Sequence, residues 1–379
     1  MATADKLALP SALAARVSVA LRGAAPYHVP VPAGIVAKLD ANELAVPLPP
    51  ELMARLTARL ADAALHRYPD ASALALRTRL AADLGVAPEQ LVLGNGSDEL
   101  IAMLVQAFAA PPPGAKTARV LYPVPSFVYY RLACAARGVE PVEVPLRDDF
   151  TLDEPAVRWA VGEFLPSVAF FALPNNPTGT LWSRAFVEQL ATDRPDMIVV
   201  ADEAYADYAT GSSLSAMATR RNLVVMRTLS KIGLAGARIG ILVADPAIAA
   251  TLEKVRPPYN VSTLDQIAAQ WFIEEAGPWV RAQTAMVVLE RARLAAGLRR
   301  LTDITVFASD ANLLMVRIGM PGDGRATRVW QHLIAHGVLV RCFDRPGDTA
   351  QPLAGCLRIT VGTSADTERV LTALASMPT

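Results

Sequence analysis

Short apolar runs rich in β-branched and aromatic residues recur through the middle of the chain. They read LVLGN, ARVLYPVPSFV, SVAFFALP, MIVVADEAY, NLVVMRTLS and RIGILVAD. Between most of them lie alanine- and leucine-rich stretches of helical length, such as SDELIAMLVQAFAA and SRAFVEQLATD. Strand-length runs alternating with helix-length ones predict an α/β fold, with a mostly parallel central sheet covered by helices. Ligands of such sheets bind beyond the carboxyl ends of the strands. The polar residues that close each run are therefore the first place to look for chemistry.

Near residue 262 the pattern changes. A long helical region, LDQIAAQWFIEEAGPWVRAQTAMVVLERARLAAGLRRL, is interrupted near Gly277 and Pro278, and shorter strands follow at ITVFAS, NLLMVRI and CLRITVG. We expect residues 45–261 to form a large domain and 262–379 a smaller α+β domain, with residues 1–44 an arm that joins the smaller one. PPPGAKTA reads as a loop inside the large domain. Neither an internal repeat nor a low-complexity tract is present.

Composition narrows the function classes. Lysine plus arginine and aspartate plus glutamate number 36 each, so net charge is zero and no nucleic-acid footprint is expected. Hydrophobic residues make up 53%, much of it alanine, and no uninterrupted apolar run is long enough to span a membrane. LALPSALAARVSVALRGAA has the apolarity of a signal sequence, but Pro10, Arg16 and Arg22 break it. We expect a cytoplasmic protein. Cys134, Cys342 and Cys356 are far apart and contain no CxxC, which fits a reducing compartment. His332 and His336 share a helical spacing, but no glutamate follows the first as the zinc-protease pattern requires. No metal site is expected.

Four polar clusters follow strand-like runs. Gly94, Asn95, Gly96 and Ser97 lie at a strand-to-helix turn, where backbone N–H groups and the helix dipole favour an anion, although an ordinary capped helix has the same pattern. Asn175, Asn176, Pro177 and Gly179 close another run with a rigid turn. Asp202 ends an apolar strand, with Tyr205 three residues on. A carboxylate there must meet a donor or a cation, or cap the next helix. Thr228, Ser230 and Lys231 end a fourth run. Lys231 is one of only five lysines in a chain that otherwise uses arginine. Together these groups supply what pyridoxal phosphate needs: a lysine for its Schiff base, an acidic partner for its ring nitrogen, and donors for its phosphate. Arginine cannot replace that lysine, because the nucleophile must be a deprotonated primary amine.

The motifs PNNPTG, ADEAY, SK…R and RITVG, in this order and spacing, resemble the class I/II aminotransferases of the pyridoxal-phosphate-dependent transferase fold type I. APYHVP, KLDANE, HRYPD, GNGSDELI, MRTLSK, RPPYNVS and CLRITVGT extend the resemblance over residues 25–365, most closely to the histidinol-phosphate branch of that family. The resemblance implies that Lys231 links to the cofactor and that Asp202 pairs with its ring N–H. It implies that Asn176 and Tyr205 bond its phenolic oxygen. Gly96, Ser97, Asp98, Thr228, Ser230 and Arg238 would hold its phosphate, and Phe127 would stack on its ring. Tyr68 would reach the phosphate of the other subunit, making a homodimer. Arg358 would bind the acidic end of the substrate, with Arg341 a second anion-binding arginine, or Arg345 in its place. Tyr27 would close over the substrate, which Asn176 would also contact.

The implied reaction is transamination: an amino donor, most closely histidinol phosphate, gives its amine to 2-oxoglutarate. An aromatic or broad-range aminotransferase, a threonine-phosphate decarboxylase and a non-catalytic cofactor-binding module are the alternatives. Two features depart from the family pattern. NELAV, residues 42–46, stands where NENPY is common, and the Lys231-to-Arg238 spacing is one residue shorter than in many relatives. Gly233 and Gly236 would let the shorter loop still deliver Arg238.

Overall fold

A computed structural model describes residues 9–17, 22, 32–344 and 351–377. Among them twelve strands form two sheets. The strands are β1 (Ala37–Leu39), β2 (Leu91–Asn95), β3 (Arg119–Val124), β4 (Glu140–Pro145), β5 (Val168–Ala172), β6 (Ile198–Asp202), β7 (Leu223–Thr228), β8 (Ile239–Val243), β9 (Ile304–Val306), β10 (Leu313–Ile318), β11 (Val338–Cys342) and β12 (Cys356–Thr360).

The larger sheet has the order β2-β8-β7-β6-β5-β3-β4. Only β8 is reversed, pairing antiparallel with β2 and β7. Every residue of β5, β6 and β8 is buried, as expected of strands covered on both faces. Their side chains alternate between two cores. Ala169, Phe171, Val199 and Ala201 join a cluster with helices Leu74–Leu84, Glu154–Phe164 and Arg184–Asp193. Val168, Phe170, Ile198 and Val200 join one with helices Gly96–Phe108, Tyr129–Arg137 and Pro246–Glu253.

The smaller sheet runs β1-β11-β12-β10-β9. Helices Gly277–Leu298, Arg325–Ala335 and Ser364–Ala375 bury Leu294, Leu333 and Val370 against it. β1 joins by parallel pairing with β11, Lys38 opposite Leu339. The helix Thr263–Glu275 lies elsewhere: Ala268, Ala269, Trp271 and Phe272 pack into the core of the larger sheet. Helix Gly277–Leu298 then begins at once, with Pro278 in its first turn, where a missing N–H costs nothing.

Three strands carry no clear sequence signal. β1 has three residues, β4 contains Pro141 and Pro145, and β11 follows a helix after only His336 and Gly337. β4 tolerates its prolines because it is an edge strand. ARVLYPVPSFV does not stay a strand throughout. β3 stops at Val124, and the next helix starts at Tyr129. No described helix is long and apolar enough to cross a membrane.

Candidate active site

The four polar clusters meet at one edge of the larger sheet. β5, β6 and β7 are parallel, and β2 shares their direction because both it and β7 run against β8. The carboxyl ends of β2, β6 and β7 therefore carry Asn95, Asp202 and Thr228 to the same edge. β8 starts there, with Ile239 opposite Asn95 and Gly240 opposite Thr228. That start delivers Arg238 from the short loop, with a left-handed φ of 51°.

Arg238 closes an anion pocket. Its carbonyl accepts the Gly96 N–H at 2.6 Å, and its guanidinium lies 3.4 Å from the Asp98 carboxylate. A side chain on Gly96, whose φ is 76°, would collide with the guanidinium, and one on Gly240 would fall 2.5 Å from the Gly96 carbonyl. Gly96, Ser97 and Asp98 form the first turn of the helix Gly96–Phe108, whose N–H groups and dipole favour a phosphate. Burial raises the Asp98 carboxyl pKa, opposed by Arg238 and Lys231. The Thr228 hydroxyl accepts the Ser230 N–H at 3.1 Å and lies 2.9 Å from the Ser230 hydroxyl.

Lys231 ends a short 3₁₀ turn that follows β7. Its Nζ is 5.7 Å from the Tyr205 ring centre. The Tyr208 hydroxyl donates to the Lys231 carbonyl and holds the turn. The Asp202 carboxylate accepts from the Tyr130 hydroxyl at 2.7 Å and from the Ala204 N–H at 3.2 Å. Burial pushes Asp202 up to about 6, against those hydrogen bonds. Burial and Asp202 together push the Tyr130 phenol well above its usual range, so Tyr130 stays the donor. Phe127 meets the Tyr130 ring edge-on at 5.7 Å.

Above this floor, Asn176 Oδ1 accepts from Arg358 Nη1 at 2.6 Å. Asn42 Nδ2 donates to Tyr205 Oη at 2.9 Å. Arg358 also donates to the Asp40 carbonyl. Arg341 stands opposite Arg358 on β11, and each guanidinium is 6.0 Å from the Phe343 ring.

Tyr68 is 80% exposed and stacks on Tyr259 at 4.6 Å. His332 faces the Ala373 carbonyl and His336 the His332 carbonyl, each at 2.9 Å. Tyr27 and Arg345 lie outside the described residues.

Two members of the cluster had no role in the sequence reading. Tyr130 is 72 residues from Asp202, and Asn42 is 163 residues from Tyr205. The second tyrosine of FVYY has only helical spacing to mark it. Asn42 is marked only as part of KLDANE and as the first residue of NELAV, with no role for its side chain.

The donor set fits pyridoxal phosphate. A buried carboxylate suits a protonated ring nitrogen, a lysine at a strand end suits an aldehyde, and a helix start with the Arg238 guanidinium against Gly96 suits a phosphate. This fold and site define the pyridoxal-phosphate transferases of fold type I. The sequence profile of aminotransferase class I and II matches residues 34–374, and the chain belongs to that family. It is 42% identical over 361 residues to histidinol-phosphate aminotransferase 2 of Cupriavidus pinatubonensis, covering 94% of each chain. It is 44% identical over 349 residues to histidinol-phosphate aminotransferase 2 of Burkholderia pseudomallei, covering 92% of this chain and 94% of that one. Its structure resembles histidinol-phosphate aminotransferase from Sinorhizobium meliloti in complex with pyridoxal-5'-phosphate, with a TM-score of 0.78, 25% identity and 90% coverage of both chains.

Proposed function

We propose that this aminotransferase moves the amino group of L-histidinol phosphate to 2-oxoglutarate. The products are imidazole-acetol phosphate and L-glutamate, a step in histidine biosynthesis. The observation that carries this reading is the pair Arg341 and Arg358 in register beside Asn176 and Tyr205. Two guanidinium groups suit a phosphate better than a lone carboxylate does. The long, high-coverage similarity to histidinol-phosphate aminotransferases supports the same reading.

Lys231, Asp202, Asn176, Tyr205, Phe127 and the Gly96–Asp98 turn with Thr228, Ser230 and Arg238 would hold pyridoxal phosphate. When bound, the cofactor supplies an aldehyde that links to primary amines and a protonated ring that draws electrons from the adjoining carbon. Asp202 holds the proton at the ring nitrogen. Arg358 and Arg341 hold the substrate phosphate and so fix its amine-bearing carbon near Lys231. Arg358 takes the carboxylate of 2-oxoglutarate in the second half-reaction. Lys231 Nζ would take the proton from the amine-bearing carbon and deliver it to the cofactor's aldehyde carbon, on the far side of the shared nitrogen.

The enzyme works as a cytoplasmic homodimer, with the partner subunit's Tyr68 completing each phosphate site. The exposed Met53, Leu65, Tyr68, Leu74 and Leu264 support that interface, and the three free cysteines support a reducing compartment. Since Thr263–Glu275 packs with the larger sheet, we place the domain division within Gly277–Leu298 rather than at residue 262.

The test is glutamate formation by purified protein from histidinol phosphate and 2-oxoglutarate, beside phenylalanine as donor. We expect kcat/KM for histidinol phosphate to exceed that for phenylalanine by about ten- to a hundredfold, as a charged contact of about 1.5–3 kcal/mol predicts. A preference for phenylalanine would select the aromatic aminotransferase reading, and CO₂ release from threonine phosphate the decarboxylase reading.

A further inference from the structure

We propose that Asn42 is a positioning residue for Tyr205: its carboxamide donates to the phenol oxygen and so turns the phenol's own hydrogen toward the cofactor. This rests on the cofactor reading above.

Asn42 is buried, and its φ of 55° is a left-handed conformation that asparagine tolerates better than most residues. Its neighbours fix which end of the amide is which. The Arg358 guanidinium offers donors only, so the Asn176 atom 2.6 Å from it is the oxygen. The Asn42 atom 3.5 Å from that oxygen is then the nitrogen. The opposite end agrees. Thr360 Oγ1 accepts the Asn42 N–H at 3.0 Å, which leaves its hydrogen for Asn42 Oδ1 at 3.2 Å.

With the nitrogen so placed, Asn42 donates to Tyr205 Oη at 2.9 Å. A phenol oxygen that accepts on this line carries its own hydrogen in another direction. Asn176, with its oxygen toward Arg358, likewise turns its NH₂ the other way. Those two donors are the pair assigned to the cofactor's phenolic oxygen. Asn42 also ties Tyr205 to the smaller sheet. Asn312 Nδ2 donates to the Asn42 carbonyl at 3.0 Å, and Thr360 lies two residues beyond Arg358 on β12. The strand that meets the substrate anion thus also holds the residue that orients the phenol.

The test is a pH titration of the bound cofactor's visible band in holoenzyme. It compares wild type, Asn42→Gly and Asn42→Asp, each with and without Tyr205→Phe. Loss of one neutral hydrogen bond should raise the titration midpoint by about half to one pH unit in Asn42→Gly. Asn42→Asp should raise it further, because Tyr205 then donates to the carboxylate. It keeps the side-chain volume and tolerates the same backbone, so the test does not depend on the glycine variant folding. In the Tyr205→Phe background the Asn42→Gly shift should disappear, as it must if Asn42 acts through the phenol. A midpoint unmoved in both Asn42 variants, with only a lower melting temperature, overturns the inference and leaves the cofactor reading intact. A wild-type protein that shows no visible band after incubation with pyridoxal phosphate overturns both.

Discussion

Arg341 and Arg358 occupy opposed positions on adjacent antiparallel strands, with both guanidinium groups against the face of Phe343. A dianion bound between them gains charge-assisted hydrogen bonds from both. Arg341→Ala should therefore raise KM for histidinol phosphate by about ten- to a hundredfold, as loss of a charged contact predicts, while KM for phenylalanine changes little. Arg358→Lys should weaken both half-reactions, since Arg358 also holds the Asn176 oxygen. Steady-state kinetics with each donor and with 2-oxoglutarate will check this.

Lys231→Ala should abolish the visible band of bound cofactor and its reduction by borohydride. Turnover should fall by roughly 10²–10⁴-fold from loss of the proton-transfer role alone. Asp98 remains near the vacated position, but no second lysine is close in sequence. Absorbance before and after borohydride, with single-turnover rates, measures both effects.

Much of this site was legible because its parts are local. An apolar run ends, a polar group follows, and the parallel sheet brings such ends together, as at Asp202 and Thr228. Even the shortened loop brings Arg238 back to Gly96, because β8 reverses and starts at the same edge. The contacts of Asn42 and Tyr130 were not legible. Each reaches its partner through tertiary packing over long separations, and no periodicity encodes such a pairing. The packing of helix Thr263–Glu275 was not legible either: Ala268, Ala269, Trp271 and Phe272 join the core of the larger sheet, and their spacing alone does not name the sheet they cover.

Asp202 sets a pH dependence in the cofactor-free protein. Burial raises its pKa from 3.8 to about 6, so the native state holds this proton more tightly than the unfolded chain. The stabilisation is complete below the unfolded value and is lost as pH rises through about 6. A shift of this size corresponds to about 3 kcal/mol. Wild-type stability relative to Asp202→Asn should fall by about that amount between pH 3.5 and pH 7, read from denaturant unfolding of both cofactor-free proteins. Adding pyridoxal phosphate at pH 7 should restore the wild type more than the variant, since only the carboxylate meets a ring cation.

Glu203, next to Asp202, is fully buried and holds two arginines. Its carboxylate lies 3.0 Å from Arg227 and 3.8 Å from Arg184, and it also accepts from the Ser212 hydroxyl and the Ser213 N–H, each at 2.7 Å. Glu203→Gln keeps the shape but removes the carboxylate that pairs with Arg184 and leaves Arg227 with Asp207 as its acidic neighbour. Breaking one side of a buried ion pair costs about 3–5 kcal/mol. The variant should unfold at markedly lower denaturant concentration, with an unchanged m-value if the fold is otherwise kept.

Gly240 tests the phosphate pocket without touching a polar group. A Cβ there would lie 2.5 Å from the Gly96 carbonyl carbon and oxygen and 2.7 Å from the Ser97 nitrogen, all backbone atoms that cannot rotate away. Gly240→Ala must push the helix Gly96–Phe108 off β8, at a cost of about 1–3 kcal/mol. The displaced N–H groups are those assigned to the phosphate, so cofactor affinity should fall at least tenfold, the equivalent of about 1.4 kcal/mol. Gly236→Ala is the matched control, because a Cβ at Gly236 meets no atom within 4 Å. Its stability and cofactor affinity should stay close to wild type. Equal losses in the two variants would show that the Lys231–Arg238 loop, rather than the Gly96–Gly240 contact, governs cofactor retention.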